Sequence, residues 1–265
     1  MSEIISLSPL DLSLAAILIV LLAGLTIALR LQLWSNILIA ALRTTVQLLL
    51  IGLLLEWIFA QAEFYIITLM AIIMLLAAGR EAANRQQRRF RGWWGFGFGT
   101  LAMFLSSFTI TFLALVFVIN NQPWYEPQYA IPLLGMMLGN TMNGISLGLD
   151  RLTTIAWQQR AGIEGRLMLG QTWNEAIGDI RQDCVRGALI PIINTMSIAG
   201  LVSLPGMMTG QILAGNAPLE AVKYQILIMF MIASGTGFGS VAAVFLASRH
   251  LFDERQRLRL DRLKR

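Results

Sequence analysis

The chain has 265 residues, 56% of them apolar and only 13% charged, with a mean hydropathy of +0.66. Apolar runs near 20 residues recur from end to end, which excludes a soluble enzyme, since a helix of roughly 17 to 25 apolar residues is what crosses a bilayer core. The net charge of +5 does not signal a nucleic-acid partner, because the basic residues fall where a membrane explains them.

Seven spans are predicted, at 10–29, 37–59, 64–79, 97–119, 129–149, 188–215 and 222–248. All are helical, because backbone polar groups in lipid must be satisfied within their own segment and nothing alternates with the period of a barrel strand. The expected fold is therefore all-α and polytopic: one transmembrane permease domain over 1–265, with a helical connection at 150–187 and a basic tail at 249–265. The first span lacks a basic leader and cleavage pattern, and reads as an anchor that stays. In the second, Arg43 and Gln47 lie one turn apart. A charge at the bilayer centre costs about 2.5 to 3.5 kcal/mol, so Arg43 must snorkel or find a partner. Glu56 is a carboxylate inside an otherwise apolar run, hence the first candidate for cation contact and metal ligation, although Trp57 beside it also fits an interfacial anchor. The third span is short and begins within Gln61-Ala62-Glu63.

The fifth span places Met136, Asn140 and Asn143 on one face. These amides either line a substrate path or pin helices together. Small residues four apart, at Gly135/Gly139, Gly144/Gly148, Gly206/Gly210 and Gly235/Gly239, predict close helix packing. The sixth span is too long for one straight crossing, and Pro205-Gly206 divides it, so a kink or discontinuity is expected at Leu204. Broken helices at membrane depth commonly bind cargo, which makes Met207 and Met208 candidates as well, with Met207 a second metal ligand. The 13 methionines fit either soft-metal ligands or flexible packing. Segment 150–187 reads as amphipathic helix, through Leu152, Ile155, Leu167, Leu169, Trp173, Ile177 and Ile180, that docks another protein or lies on the membrane surface.

Of the 20 basic residues, 18 lie on alternate connections, at Arg30, 80–91, 151–186 and 249–265. By the positive-inside rule the N-terminus is outside and the C-terminus cytoplasmic, which an odd number of spans requires. The opposite face carries Glu3, Glu63, Glu126 and Glu220, either a cation-attracting mouth or carboxylates tolerated at an outer surface. One cysteine, Cys184, and one histidine, His250, suggest neither a disulfide nor a zinc or haem site.

The stretches IPLLGMMLGNTM at 131–142, GLVSLPGMMTGQILAG at 200–215, AVKYQI at 221–226 and LRTTVQLLL at 42–50 closely resemble the FetB (YbbM-type) permease family, collinearly over nearly the whole chain. The resemblance implies the membrane subunit of an ABC transporter of the bacterial inner membrane, linked to iron export and oxidative-stress resistance and working with a separate FetA-like ATPase. A plant relative belongs instead to an aluminium-tolerance complex associated with UDP-glucose transport. The stretch LGQTWNEAIGDIRQDCVRGALIP at 169–191 is loosely similar to the coupling segment of ABC importer permeases, which implies a coupling role for Gly170, Glu175, Asp179 and Arg181. The chain itself has no G-x-x-x-x-G-K-[ST] phosphate loop, so ATP–Mg is expected on the partner and this chain is not expected to be an enzyme. Two copies with two ATPase subunits would make the transporter. The rival reading is a secondary transporter or cation channel, with Glu56 carrying a proton and Asn140 a cation. A further alternative is an ABC permease for a nucleotide-sugar.

Overall fold

The computed structural model describes residues 8–61 and 63–264; Glu3, Ala62 and Arg265, used in the sequence reading, lie outside them. Among the described residues the secondary structure is helical, with isolated bridges and no strands. Among these residues five stretches are long and apolar enough to cross a membrane: Leu10–Ala28, Trp34–Gln61, Phe64–Asn84, Trp94–Ile119 and Pro218–His250.

The chain divides into two compact units. The first contains α1 (Pro9–Ala28), α2 (Trp34–Gln61) and the Leu213–Gly215 turn. Ser8 starts α1 with a capping box: its backbone N–H and hydroxyl both donate to Asp11 Oδ2 at 2.8 Å, satisfying amides that the first turn leaves open. Both helices are predominantly apolar and largely exposed, a surface that water would penalise and lipid does not.

The second unit is built on α3 (Phe64–Asn84), α6 (Pro127–Gln158), α9 (Gly178–Ile198) and α11 (Pro218–His250). Between α3 and α6 runs one long helical stretch in which α4 (Trp94–Met103) and α5 (Thr109–Leu113) alternate with π-helical segments, Phe104–Phe108 and Ala114–Ile119. Short helices α7 (Arg160–Met168) and α8 (Trp173–Ala176) follow α6, and α10 (Gly206–Leu213) follows α9. The predicted fifth span lies inside α6, but the helix does not stop at its end. Ile145, Leu149, Leu152 and Ala156 form a continuous buried stripe at helical spacing, so the core carries α6 onward into the basic connection.

Glycine sets the contact between α6 and α11. A methyl group added at Gly144 would stand 2.6 Å from Thr236 Cγ2 and 2.7 Å from Ser240 Oγ. At Gly148 it would meet Val244 at 2.8 Å, at Gly239 Thr141 Cγ2 at 2.6 Å, and at Gly235 it would collide with Met137 Cε. Two of the four predicted small-residue pairs thus face each other across one interface. The other two do not: a methyl at Gly139, Gly206 or Gly210 meets nothing within 4 Å, and at Gly135 only the flexible end of Met74. The packing expected of Gly206/Gly210 is therefore corrected, because these residues begin a short helix with no buried side chain.

At the basic end the tail folds back as a strap. Arg91 N–H donates to the Arg262 carbonyl at 2.7 Å and Lys264 N–H to the Arg89 carbonyl at 2.8 Å, around an antiparallel bridge from Phe90 to Leu263. Buried Phe90 packs edge-on against Phe98 and His250, and His250 stacks on Trp94 with centroids 4.6 Å apart. Both Oδ atoms of Asp261 accept from Arg259 at 2.9 Å, and this pairing lowers the carboxyl from its usual 3.8 to about 2.

Two outcomes are expected. Gly144→Ala destabilises by about 1 to 3 kcal/mol through overpacking, whereas Gly139→Ala is neutral or slightly stabilising; thermal unfolding of both variants in detergent checks the contrast. Because the native state binds Asp261's proton less readily than the unfolded chain, its contribution is complete above the ordinary carboxylate range and is lost as pH falls through about 2. Hydrogen-exchange protection of the Arg91 and Lys264 amides, corrected for intrinsic rate, should therefore be flat from about pH 8 to about pH 5 and fall only in stronger acid.

Candidate functional site

The helix discontinuity is real and seven residues long: α9 ends at Ile198 and α10 begins at Gly206. Gly200 takes φ +83°, where a side chain would strain, and its N–H donates to the Ser203 carbonyl at 2.9 Å. The Ile198 carbonyl accepts from Val202 at 3.0 Å, and Pro205 gives its carbonyl to Thr209 N–H at 3.1 Å. The turn thereby satisfies part of its own backbone while leaving Leu201 and Val202 exposed.

Immediately after the turn, Met207 joins Met136 of α6 in lining a cavity of about 30 Å³, the volume of one water, with Gln128, Tyr129 and Tyr224 also on its wall. Two thioethers, an amide and two phenols are soft or neutral donors; no carboxylate lines the space. Met208 is half-buried but outside this lining. The other members of the predicted ladder go elsewhere. Asn140 Nδ2 donates to the Met136 carbonyl of its own helix at 2.8 Å, and Asn143 Oδ1 accepts from Arg85 Nη1 at 2.6 Å, tying α6 to the end of α3. Glu56 is exposed on α2, in the first unit, as are Arg43 and Gln47. Among the described residues no group of three or more His, Cys, Asp or Glu could hold a metal ion, and the two proposed metal ligands, Glu56 and Met207, belong to different units.

A second polar feature escaped the sequence reading. Ser106, Ser107 and Thr111 of the π-interrupted stretch, Thr141 of α6, and Thr236 and Ser240 of α11 are all buried. Ser107 Oγ donates to Thr141 Oγ1 at 3.3 Å and Ser106 Oγ to the Ala102 carbonyl at 2.8 Å, whereas the hydroxyls of Thr111, Thr236 and Ser240 find no partner in the protein. The signal was present in the run Ser106-Ser107-Phe108-Thr109, the densest hydroxyl cluster in its apolar span, and π-helical turns often mark functional positions.

The four predicted coupling residues take distinct roles. Gly170 closes the turn after α7 with φ +86°. Glu175 accepts from the Thr172 backbone N–H and hydroxyl, both at 2.8 Å, which hold its carboxyl below the usual range and start α8. Asp179 pairs with Arg166 at 3.0 Å. Arg181 turns inward: it is 8% exposed, its Nη1 donates to Asn174 Oδ1 at 2.6 Å, and its guanidinium lies 4.2 Å from the Phe245 ring centroid, so it fastens this segment to α11. What the segment presents outward is Met168 and Leu169, 83% and 86% exposed at the tip of α7. Beside them, a groove of about 760 Å³ is walled by Met168 and Gly170 on one side and by Arg255 and Arg257 of the tail on the other.

A family model described as an uncharacterised protein family, UPF0014, matches residues 9–252. The chain is 41% identical over 230 residues to the UPF0014 membrane protein slr1647 of Synechocystis sp., covering 86% of this chain and 87% of that protein. It is 31% identical over 241 residues to the probable iron export permease protein FetB of Escherichia coli, covering 89% of each. With the protein ALUMINUM SENSITIVE 3 of Arabidopsis thaliana it shares 32% over 245 residues, 92% of this chain and 88% of that one. No solved structure matches the chain.

Because Met136 and Met207 line one cavity, a Met136→Cys/Met207→Cys pair in a Cys184→Ser background should cross-link with a short bifunctional thiol reagent. Either cysteine alone should not, and the shift in gel mobility after cleavage of the intervening chain reports the bond.

Proposed function

The chain belongs to the UPF0014 family of membrane permeases, and from that premise we propose that it is the membrane-spanning subunit of an ATP-driven transporter that exports iron or a related metal ion. It is a multi-pass integral protein of the bacterial plasma membrane type, and its relatives are named as permeases or membrane proteins rather than enzymes. The proposed topology has seven crossings: the five long apolar helices, the first part of α6, and α9 with α10 about their break. The basic connections then lie in the cytoplasm and the N-terminus outside. The connection 150–187 and the tail face the compartment that contains ATP.

The observation that carries the reading is the folded platform at the basic end. An isolated channel has no use for Met168 and Leu169 standing exposed in a polar connection whose base is locked by buried Ile163, Ile177 and Ile180. A separate ATP-binding subunit that covers this tip explains it. Closure of two such subunits under two copies of this chain would press on α7, and Arg181 against Phe245 would pass the displacement to α11. The α6–α11 seam and the turn at 199–205 are the elements that would change between inward and outward access. The cargo path runs past Met136, Met207 and the buried hydroxyls, and Glu56 draws cations from the outer leaflet side. Support for iron is the likeness to the FetB permease.

The test is purification of the tagged chain in mild detergent from native membranes, with identification of stoichiometric partners and assay of ATP hydrolysis with and without Fe(II). An ATP-binding subunit with iron-stimulated hydrolysis is expected. Met168→Glu combined with Leu169→Glu should weaken its capture about a hundredfold, since uncovering two such side chains forfeits roughly 3 kcal/mol. Glu56→Gln should leave capture intact and reduce stimulation by iron. A chain that purifies alone and moves cations in liposomes without ATP overturns the proposal in favour of a secondary transporter or channel.

A further inference from the structure

The second unit holds a larger cavity than the one at Met136, about 280 Å³, enclosed by α3, the π-interrupted stretch and α6. Its floor is buried Ile67, Leu115, Ile131 and Leu134, and its lip is exposed Phe64 and Phe112, so it opens sideways from the helices. The lining suits neither water nor a metal ion. Its oxygens are few: the Thr68 hydroxyl already donates to the Phe64 carbonyl at 2.9 Å, the Thr111 hydroxyl has no protein partner but is too little by itself to hold a water that needs two or more, and Met74 supplies a single thioether. An apolar occupant is the one such walls favour.

Length and position specify which. Along α3 the lining runs from Phe64 to Met74, ten residues or about 15 Å, half of the roughly 30 Å hydrocarbon thickness and thus the depth of one leaflet. The shallow end is a cluster of aromatic edges, Phe64 to Trp124 at 5.9 Å, Phe64 to Tyr125 at 5.3 Å and Phe112 to Trp124 at 5.3 Å, the residue types that mark the lipid–water boundary. Glu126 adjoins Tyr125 there, while residues 64–70 and 104–135 contain no lysine or arginine. The charge a headgroup meets beside Tyr125 is the Glu126 carboxylate, which accepts from Asn121 Nδ2.

We propose that this cavity binds one acyl chain of a phospholipid whose headgroup carries an ammonium, of the phosphatidylethanolamine kind, with Glu126 facing the ammonium. The π-helical stretches wall the cavity at Phe108 and Leu115, so the occupant would brace the same segment that holds the buried hydroxyls.

The full chain, reconstituted in vesicles, would be irradiated with phosphatidylethanolamine or phosphatidylglycerol bearing a diazirine at the end of one acyl chain, and the adducts mapped by peptide. Expected are adducts on the floor residues Leu115, Ile131 and Leu134, with phosphatidylethanolamine favoured roughly threefold, the scale of exposed charge pairs. Glu126→Gln should erase that preference. Ala130→Trp, which fills the cavity, should lower the floor adducts about tenfold by excluding methylenes. The milder Ala71→Leu should lower them in proportion and serves where the tryptophan variant does not assemble. Floor adducts indifferent to both substitutions, adducts confined to the outward Leu69 and Phe117, cross-linking of the floor to a second copy instead of lipid, or equal yield from the two headgroups in the unsubstituted chain would each overturn the proposal.

Discussion

The close approach of α6 to α11 is the contact on which the second unit depends. In lipid, apolar side chains gain nothing from leaving water, so helices associate through packing and hydrogen bonds, and both improve when backbones come near. Gly144 and Gly148 on one helix and Gly235 and Gly239 on the other remove the methyl groups that would hold them apart. Thr141, Thr236 and Ser240 fill the space left between. α9 packs on the same pair through Ala188 and Cys184, and α3 joins α6 through Arg85 and Asn143. Loosening the seam would therefore disturb α6 and α11, which supply most of the wall of the Met136–Met207 cavity.

That seam also carries a cost of a kind that membrane interiors tolerate poorly. A buried hydroxyl without a partner forfeits the hydrogen bonds it made in water, and Thr236 and Ser240, one turn apart on α11, carry this deficit. The hydroxyls adjoin helical turns whose hydrogen bonds already run in the π register, where neighbouring carbonyls are less firmly committed. A helix pair held by glycine contacts and incompletely satisfied hydroxyls has an energetic reason to adopt a second arrangement, which is what alternating access requires.

Much of the helical framework was legible in the sequence because hydropathy and backbone satisfaction leave so few options in a bilayer. The broken sixth segment was legible for a similar reason: a proline followed by glycine cannot continue a helix undisturbed, and the turn lies at 199–205. The length of α6 was not, since the stripe Ile145, Leu149, Leu152 and Ala156 keeps its period past the point where apolar composition ends. Spacing alone also could not distinguish Gly144/Gly148, locked in an interface, from Gly206/Gly210, where an added methyl would meet open space. For Met136, Asn140 and Asn143, helical periodicity gave a shared face but not their partners, and the three diverge to a cavity, to their own backbone and to Arg85. π-helical turns change hydrogen-bond register without changing composition, so nothing in the residue pattern announced them.

The basic residues show how one sequence feature serves two physical ends. As a bias on alternate connections they indicate orientation; folded, they become structure. Arg181 leaves solvent for Asn174 and the Phe245 ring, Arg85 reaches Asn143, and Arg259 clasps Asp261 in the strap that crosses back to Arg89 and Arg91. A tail rich in arginine and lysine reads as a solvated run, yet here its backbone is bonded to the α3–α4 connection and its Gln256 accepts from the Trp173 N–H at the start of α8. The result is a stiff base under the exposed Met168 and Leu169. Stiffness matters for the proposed coupling, because a force applied to a floppy connection dissipates in the connection, whereas one applied to a braced tip reaches α11 and, through its glycines, α6.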